Sequence, residues 1–128
     1  MATVFMAEDD PLMISIYSQI FKLNGFDFAM AADGEQAIAN LMSMAQKPQI
    51  VVLDIMMPKK DGFEVMKFMK GDQNLKNIPV IALTNLSSKE DLKKCLDLGA
   101  EACLVKSQNS PDEIAAKVKE ICDKHYPK

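Results

Sequence analysis

Pro48-Gln49-Ile50-Val51-Val52-Leu53-Asp54-Ile55-Met56-Met57-Pro58-Lys59-Lys60-Asp61-Gly62 carries an unbroken apolar run, stops on an acid, and passes into a loop of turn-forming residues. A short continuous apolar run bounded in this way reads as a strand buried on both faces, the strand type of parallel sheets. An acid at its end lies where burial is costly unless the charge is paired. Three other stretches repeat the pattern: Val4-Phe5-Met6-Ala7 leads into Glu8 and Asp9, Val80-Ile81-Ala82-Leu83 into Thr84, and Cys103-Leu104-Val105 into Lys106. Phe26 to Met30 reads as one more strand, second in chain order.

Helical patterns lie between these runs. Asp10-Pro11 offers an N-cap with proline at the first helical position, and Asn24-Gly25 ends that helix. Met13, Ile16, Tyr17 and Ile20 recur at helical spacing within it. Asp33-Gly34 opens a helix with Ala37, Ile38, Leu41 and Met42 on one face, and another runs through Val65, Met66 and Met69. Gly71 to Asn77 is polar and reads as a loop. Ser87 or Ser88 caps a helix carrying Leu92, Cys95 and Leu96, which ends at Gly99. Ser110-Pro111 starts the last, with Ile114, Val118, Ile121 and His125 on one face. Five strands in strict alternation with five helices predict right-handed βαβ crossovers around a parallel sheet, in a single domain over residues 1–128. In open α/β sheets ligands bind beyond the carboxyl ends of the strands, which is where Glu8, Asp9, Asp54, Thr84 and Lys106 would gather.

Composition excludes several function classes. With 128 residues, 48% apolar and 26% charged, the chain has the make-up of a globular domain large enough to fold alone. A formal net charge of −3 leaves no basic stripe for a phosphate backbone, so no nucleic acid is expected as a partner of this domain. Its apolar runs are too short to span a bilayer, and the start of the chain offers no charged n-region or cleavage site. A cytoplasmic protein without a membrane partner is the resulting expectation. The three cysteines, Cys95, Cys103 and Cys122, lack C-x-x-C spacing and read as small buried hydrophobes; His125 is the one histidine and reads as a helix-end residue facing the dipole. Zinc ligation and Cys–His or Ser–His catalysis therefore have too few groups to work with. Of the ten methionines, most read as core fillers, with Met56 and Met57 set apart in the loop beside Asp54.

Glu8, Asp9 and Asp54 together would repel one another and call for a cation. An all-oxygen donor set with few carboxylates suits Mg2+, which pairs readily with phosphate. A carboxylate also serves as a nucleophile, forming an aspartyl-phosphate, and phosphoryl transfer then mainly needs positioning and charge neutralisation. Lys106 would supply charge and Thr84 a neutral hydrogen bond.

Val4 through Asp10, Leu53 through Gly62, Ile78 through Thr84, and Leu98-Gly99-Ala100 with Leu104-Val105-Lys106 together resemble the receiver domain of two-component response regulators, from Val4 to about Tyr126. The resemblance implies a flavodoxin-like doubly wound sheet of order 2-1-3-4-5. It implies that Asp54 is the phosphoacceptor, supplied by a phosphohistidine of a sensor histidine kinase or a histidine phosphotransfer protein. It also implies that Asp9, Asp54 and the Met56 carbonyl hold Mg2+, with Glu8 on a metal-bound water, while Lys106 pairs with the carboxylate and then the phosphoryl oxygens. Thr84 would move toward the phosphoryl group and shift the fourth helix, fifth strand and fifth helix between two forms. Such a chain is a signalling switch, a phosphoprotein of a phosphorelay, rather than an enzyme.

Three positions depart from the family pattern. Cys103 stands where receivers usually carry Tyr or Phe, so no ring is available to swing between two pockets. Asn85 replaces a small residue after Thr84 and narrows access to the site. Ser107 replaces the proline after Lys106, and a cis bond there would cost about 2.5–4 kcal/mol. Met56 and Leu86 are apolar at positions that influence hydrolysis in the family, which implies a long-lived phosphorylated form. Two other readings stand beside this one. A Mg2+-dependent phosphatase with an Asp nucleophile would need a general acid where Met56 stands. A receiver-like scaffold that no longer accepts phosphate would keep the fold for protein interaction alone.

Overall fold

The computed structural model describes residues 2–85 and 89–127. Strands β1 (Thr3–Ala7), β2 (Asp27–Ala31), β3 (Ile50–Asp54), β4 (Val80–Thr84) and β5 (Ala102–Val105) alternate with helices α1 (Pro11–Leu23), α2 (Gly34–Ser43), α3 (Gly62–Lys70), α4 (Lys89–Asp97) and α5 (Pro111–His125). The strands form one parallel sheet in the order β2-β1-β3-β4-β5, as the family resemblance implied. A short 3-10 turn, Lys106–Gln108, separates β5 from α5 and has no signal in the apolar periodicity.

The period-2 geometry of the strands divides the core in two. Phe5, Ala7, Val51, Leu53, Val80 and Ala82 turn to the face covered by α2, α3 and α4. Val4, Met6, Ile50, Val52, Ile81 and Leu83 turn to the face covered by α1 and α5. Every residue of β3 and β4 is buried, which accounts for their apolar runs. Carried past the strand ends, the same alternation puts Glu8 and Asp54 on the α1/α5 side of the carboxyl edge and Thr84 on the α4 side. The ladder itself extends that far: the Glu8 N–H donates to the Ala31 carbonyl at 3.0 Å.

The predicted caps are present where they lie among the described residues. Asp10 accepts from the Leu12 N–H, Asp33 accepts from the Gln36 N–H, and Ser110 forms a reciprocal capping box with Glu113. An Asp61–Glu64 capping box starts α3. Ser87 and Ser88, proposed as caps of α4, lie outside the described residues, as does Leu86.

Several helix faces differ from expectation. In α1 the buried stripe is Ile14-Tyr17-Phe21, while Met13, Ile16 and Ile20 flank it half-buried. This helix is apolar over so wide an arc that spacing alone selects two neighbouring stripes. Met42 is 60% exposed, because the sheet-facing line of α2 runs through Ala37 and Leu41. Leu96 is 53% exposed and Leu92 half-buried, leaving Cys95 as the buried residue of α4. Within the polar loop, Leu75 is buried under the α2–α4 face. Cys95 and Cys122 are buried as expected and Cys103 is half-buried. Among the methionines Met6, Met66 and Met69 fill the core, Met57 packs half-buried against it, and Met30 is exposed. His125 is the last helical residue, and its Nε2 lies 2.7 Å from Glu101 Oε1.

Candidate functional site

Burial at the carboxyl edge selects three polar residues, Glu8, Asp54 and Thr84, and half-buried Lys106 joins them. Glu8 is 2% exposed and Asp54 3% exposed, and both ride on the two central strands or their extension. Thr84 is buried at the end of β4, where it pairs in register with Val105. Lys106 follows β5 directly and reaches back across the sheet edge. Its Nζ donates to Asp54 Oδ2 at 3.0 Å and to both Glu8 oxygens, at 3.1 and 3.0 Å. The sequence reading paired Lys106 with Asp54; the second partner, Glu8, was not foreseen. Both carboxylates sit on the α1/α5 side of the edge, so one ammonium serves two acids.

The remaining acceptor of Asp54, Oδ1, takes the Met56 N–H at 3.1 Å. Asp54 thereby has one oxygen on a cation and one on the turn that begins the next loop. Asp9 is exposed at the start of the cluster. Glu8, Asp9 and Asp54 each offer a carboxylate oxygen, all within 4.8 Å of one another. Two buried acids thus share one ammonium with a third, exposed acid beside them, an imbalance that burial makes expensive.

The electrostatics record that imbalance. Burial pushes the Glu8 carboxyl up to about 8, helped by the neighbouring Asp54 and opposed by Lys106. Burial works against the Lys106 cation, yet hydrogen bonds to Glu8 and Asp54 outweigh it and raise its pKa above the ordinary lysine value. Burial also raises Tyr17, which lies in the α1/α5 core.

Above these groups lies an open cavity of about 580 Å³. Asp10 and Met13 wall it on the α1 side, Met56 and Asn85 on the loops after β3 and β4, and Ser107 beside Lys106. Asn85 is exposed at the mouth, and the Met56 side chain is 57% exposed there. Met13 packs half-buried against the α1/α5 core and also walls the cavity, two residues beyond Pro11 on the first turn after the acids. No peptide bond among the described residues is cis, the Lys106–Ser107 bond included.

Comparison with known proteins decides the family. The model of the response regulator receiver domain matches residues 4–119. This chain is a receiver domain. It is 33% identical over 118 residues to the probable transcriptional regulator ycf27 of Porphyridium aerugineum, an alignment covering 92% of this chain and 47% of that protein. The domain spans about half the length, or less, of the first curated regulators it matches. The solved receiver domain of Francisella response regulator 1452 superposes with a TM-score of 0.88 at 30% identity, covering 98% of this chain and 99% of that one. The phosphorylated cyanobacterial phytochrome response regulator RcpA superposes at 0.81 and 29% identity, covering 95% and 91% of the two chains.

Receiver domains are signalling domains, and the acidic group Glu8, Asp9 and Asp54 is able to hold a metal ion in this one. The donor set fits Mg2+: it is all oxygen, carries excess negative charge, and opens to a cavity with room for coordinated water. Among the described residues, no helix is long and apolar enough to cross a membrane.

Proposed function

We propose that this receiver accepts a phosphoryl group on Asp54 from the phosphohistidine of a sensor histidine kinase or histidine phosphotransfer protein. The observation that carries the reading is an almost fully buried carboxylate, held 3.0 Å from Lys106 and opening onto a cavity beside two further acids. A carboxylate oxygen of Asp54 attacks phosphorus, the O–P bond forms, the N–P bond breaks, and the imidazole leaves with the electron pair. Asp9, Asp54 and the Met56 carbonyl would hold Mg2+, with Glu8 reaching it through water, and the cation would supply positive charge for the equatorial oxygens. Lys106 leaves its place between Glu8 and Asp54 and turns its ammonium to the new phosphoryl oxygens. Thr84, on the α4 side of the edge, donates its hydroxyl to the same group and biases α4, β5 and α5 toward the active form.

The phosphorylated RcpA structure supports this reading through its likeness in fold and sequence. The apolar Met56 side chain beside the cavity positions no attacking water, which favours a persistent aspartyl-phosphate. A cytoplasmic location and a downstream partner met through the α4–β5–α5 face belong to the same proposal, as does the absence of nucleic acid among this domain's partners.

Incubation with Mg2+ and acetyl phosphate, read by intact mass, tests the proposal. One added phosphoryl group is expected on the parent, and none on Asp54→Asn or in EDTA. A folded parent that binds Mg2+ yet takes no adduct would favour the receiver-like scaffold. Rapid loss of phosphate from the purified adduct would overturn the proposed long lifetime.

A further inference from the structure

The loop that follows the phosphoacceptor does not stand alone. Its base is pinched where the Gly62 N–H donates to the Ile55 carbonyl at 3.0 Å, and the Ile55 N–H donates to Leu83 across the sheet at 2.9 Å. Gly62 has no room for a side chain: a methyl there would lie 2.7 Å from the Asp54 carbonyl oxygen. Between those anchors, Lys59 adopts φ +69°, a left-handed conformation that non-glycine residues seldom take unless their surroundings impose it.

The start of α2 packs against this stretch. Gly34 lies directly against the Lys60 backbone; a methyl at Gly34 would overlap the Lys60 carbonyl oxygen and lie 2.6 Å from Lys60 Cβ. Next to it, buried Asp33 accepts the Gln36 N–H at 2.8 Å through Oδ1 and faces Lys59 Nζ at 3.6 Å through Oδ2. The α2 start is itself tied to the site strands, since the Ala31 carbonyl takes the Glu8 N–H. A continuous path of backbone contacts therefore runs from Glu8, through Ala31 and Gly34, to Lys60 and the loop bearing Met56.

We propose that Asp33 and Gly34 are positioning residues for the cation site, setting through Lys59 and Lys60 the height of the β3–α3 loop and hence of the Met56 carbonyl. The inference rests on the Mg2+ reading above. A backbone ligand has no rotamer to adjust, so its placement depends wholly on what supports the loop. Outer supports of metal ligands typically govern affinity by about 10- to 100-fold.

The test uses amide spectra of the 15N-labelled domain, first without metal and then through a Mg2+ titration. In metal-free Gly34→Ala the signals of Met56 to Asp61 are expected to shift while those of β4 and β5 hold, and the Mg2+ Kd should rise about tenfold. Leu41→Ala serves as comparator: it weakens α2 from the core side yet should leave the loop signals in place and Kd within about twofold. Asp33→Asn keeps a good cap but loses the charge facing Lys59; it and Lys59→Gln should each raise Kd about two- to threefold, and the pair together no further. These two variants decide the matter if Gly34→Ala fails to fold. Parental loop signals and Kd in the folded variants would overturn the proposal, as would an equal disturbance from Leu41→Ala. A parent that never saturates with Mg2+ would defeat the cation reading, whereas the metal-free loop shifts would still judge the mechanical claim separately.

Discussion

At the carboxyl edge of the sheet, the β1–β3 side and the β4–β5 side are held by different amounts of packing. On the first, Glu8 and Asp54 extend central strands that are flanked on both sides, with α1 and α5 below and α2 and α3 above. On the second, Thr84 is buried, but Asn85 next to it is exposed, β5 is mostly half-buried, and α4 buries Cys95 alone among its described side chains. Phosphoryl transfer needs charges fixed in place before the reaction, because little else stabilises its transition state. A readout element needs the reverse, two arrangements separated by little free energy, and such elements come from the lightly packed end of a structure. On the proposed function, the two sides of one edge would meet these opposite needs by packing density.

The largest effect that sharpens this contrast lies in the core beneath Asp54. Leu53→Ala, at a fully buried position on the α2–α3 face, should cost about 3 kcal/mol in urea unfolding. Cys95→Ala, which trims the buried residue of α4 by one sulfur where Leu53→Ala removes three carbons, should cost about 1 kcal/mol. Equal losses would mean that α4 is anchored as firmly as the chemical side.

Much of this division was legible in the chain, and the exceptions are instructive. Strands β3 and β4 are buried on both faces, so their runs are continuous and their ends unmistakable; the acid and hydroxyl that close them followed at once. The correct stripe of α1 was not legible because Leu12, Met13, Ile14, Ile16, Tyr17, Ile20 and Phe21 leave little polar face to break the degeneracy. Glu8 was placed near the site, but its ion pair with Lys106, 98 positions away, depends on how far β5 ends from β1 across two strands. The seating of Gly34 on Lys60 is a backbone contact between segments far apart in the chain, and a glycine shows in sequence only that room is needed, not what occupies it.

A middle-sized effect falls on α5, part of the proposed readout face. This helix begins with Pro111 and a Ser110–Glu113 capping box. Ser110→Ala should cost about 1 kcal/mol. The backbone N–H of Ser110, then its hydroxyl, hold the exposed Glu113 carboxyl below its ordinary value of 4.5. A depressed pKa means that the contribution is present above the unfolded value and disappears as pH falls through the folded one. As pH falls below 4.5, Glu113→Gln should therefore flatten part of the fall in thermal midpoint seen in the parent. An unchanged slope would place that acid sensitivity elsewhere.

The smallest expected effect falls on α4 itself. Lys94 Nζ stands 4.3 Å from the centroid of the Phe63 ring, so a cation–π contact ties α4 to the first turn of α3. At an exposed site such a contact is worth about 0.5–1 kcal/mol, hardly visible in global unfolding. Its local consequence is larger, because α4 buries Cys95 alone among its described side chains: losing the contact raises the population of open α4 without unfolding the sheet. Lys94→Gln should accordingly speed amide exchange in residues 89–97 by a few-fold while leaving β1, β3 and α5 at parental rates. Phe63→Leu should give the same pattern, since it keeps the apolar bulk and removes the ring. Exchange that rises uniformly across the domain would show that α4 moves only with the whole fold, and the lightly packed side of the edge would then have no independent motion for a phosphoryl group to bias.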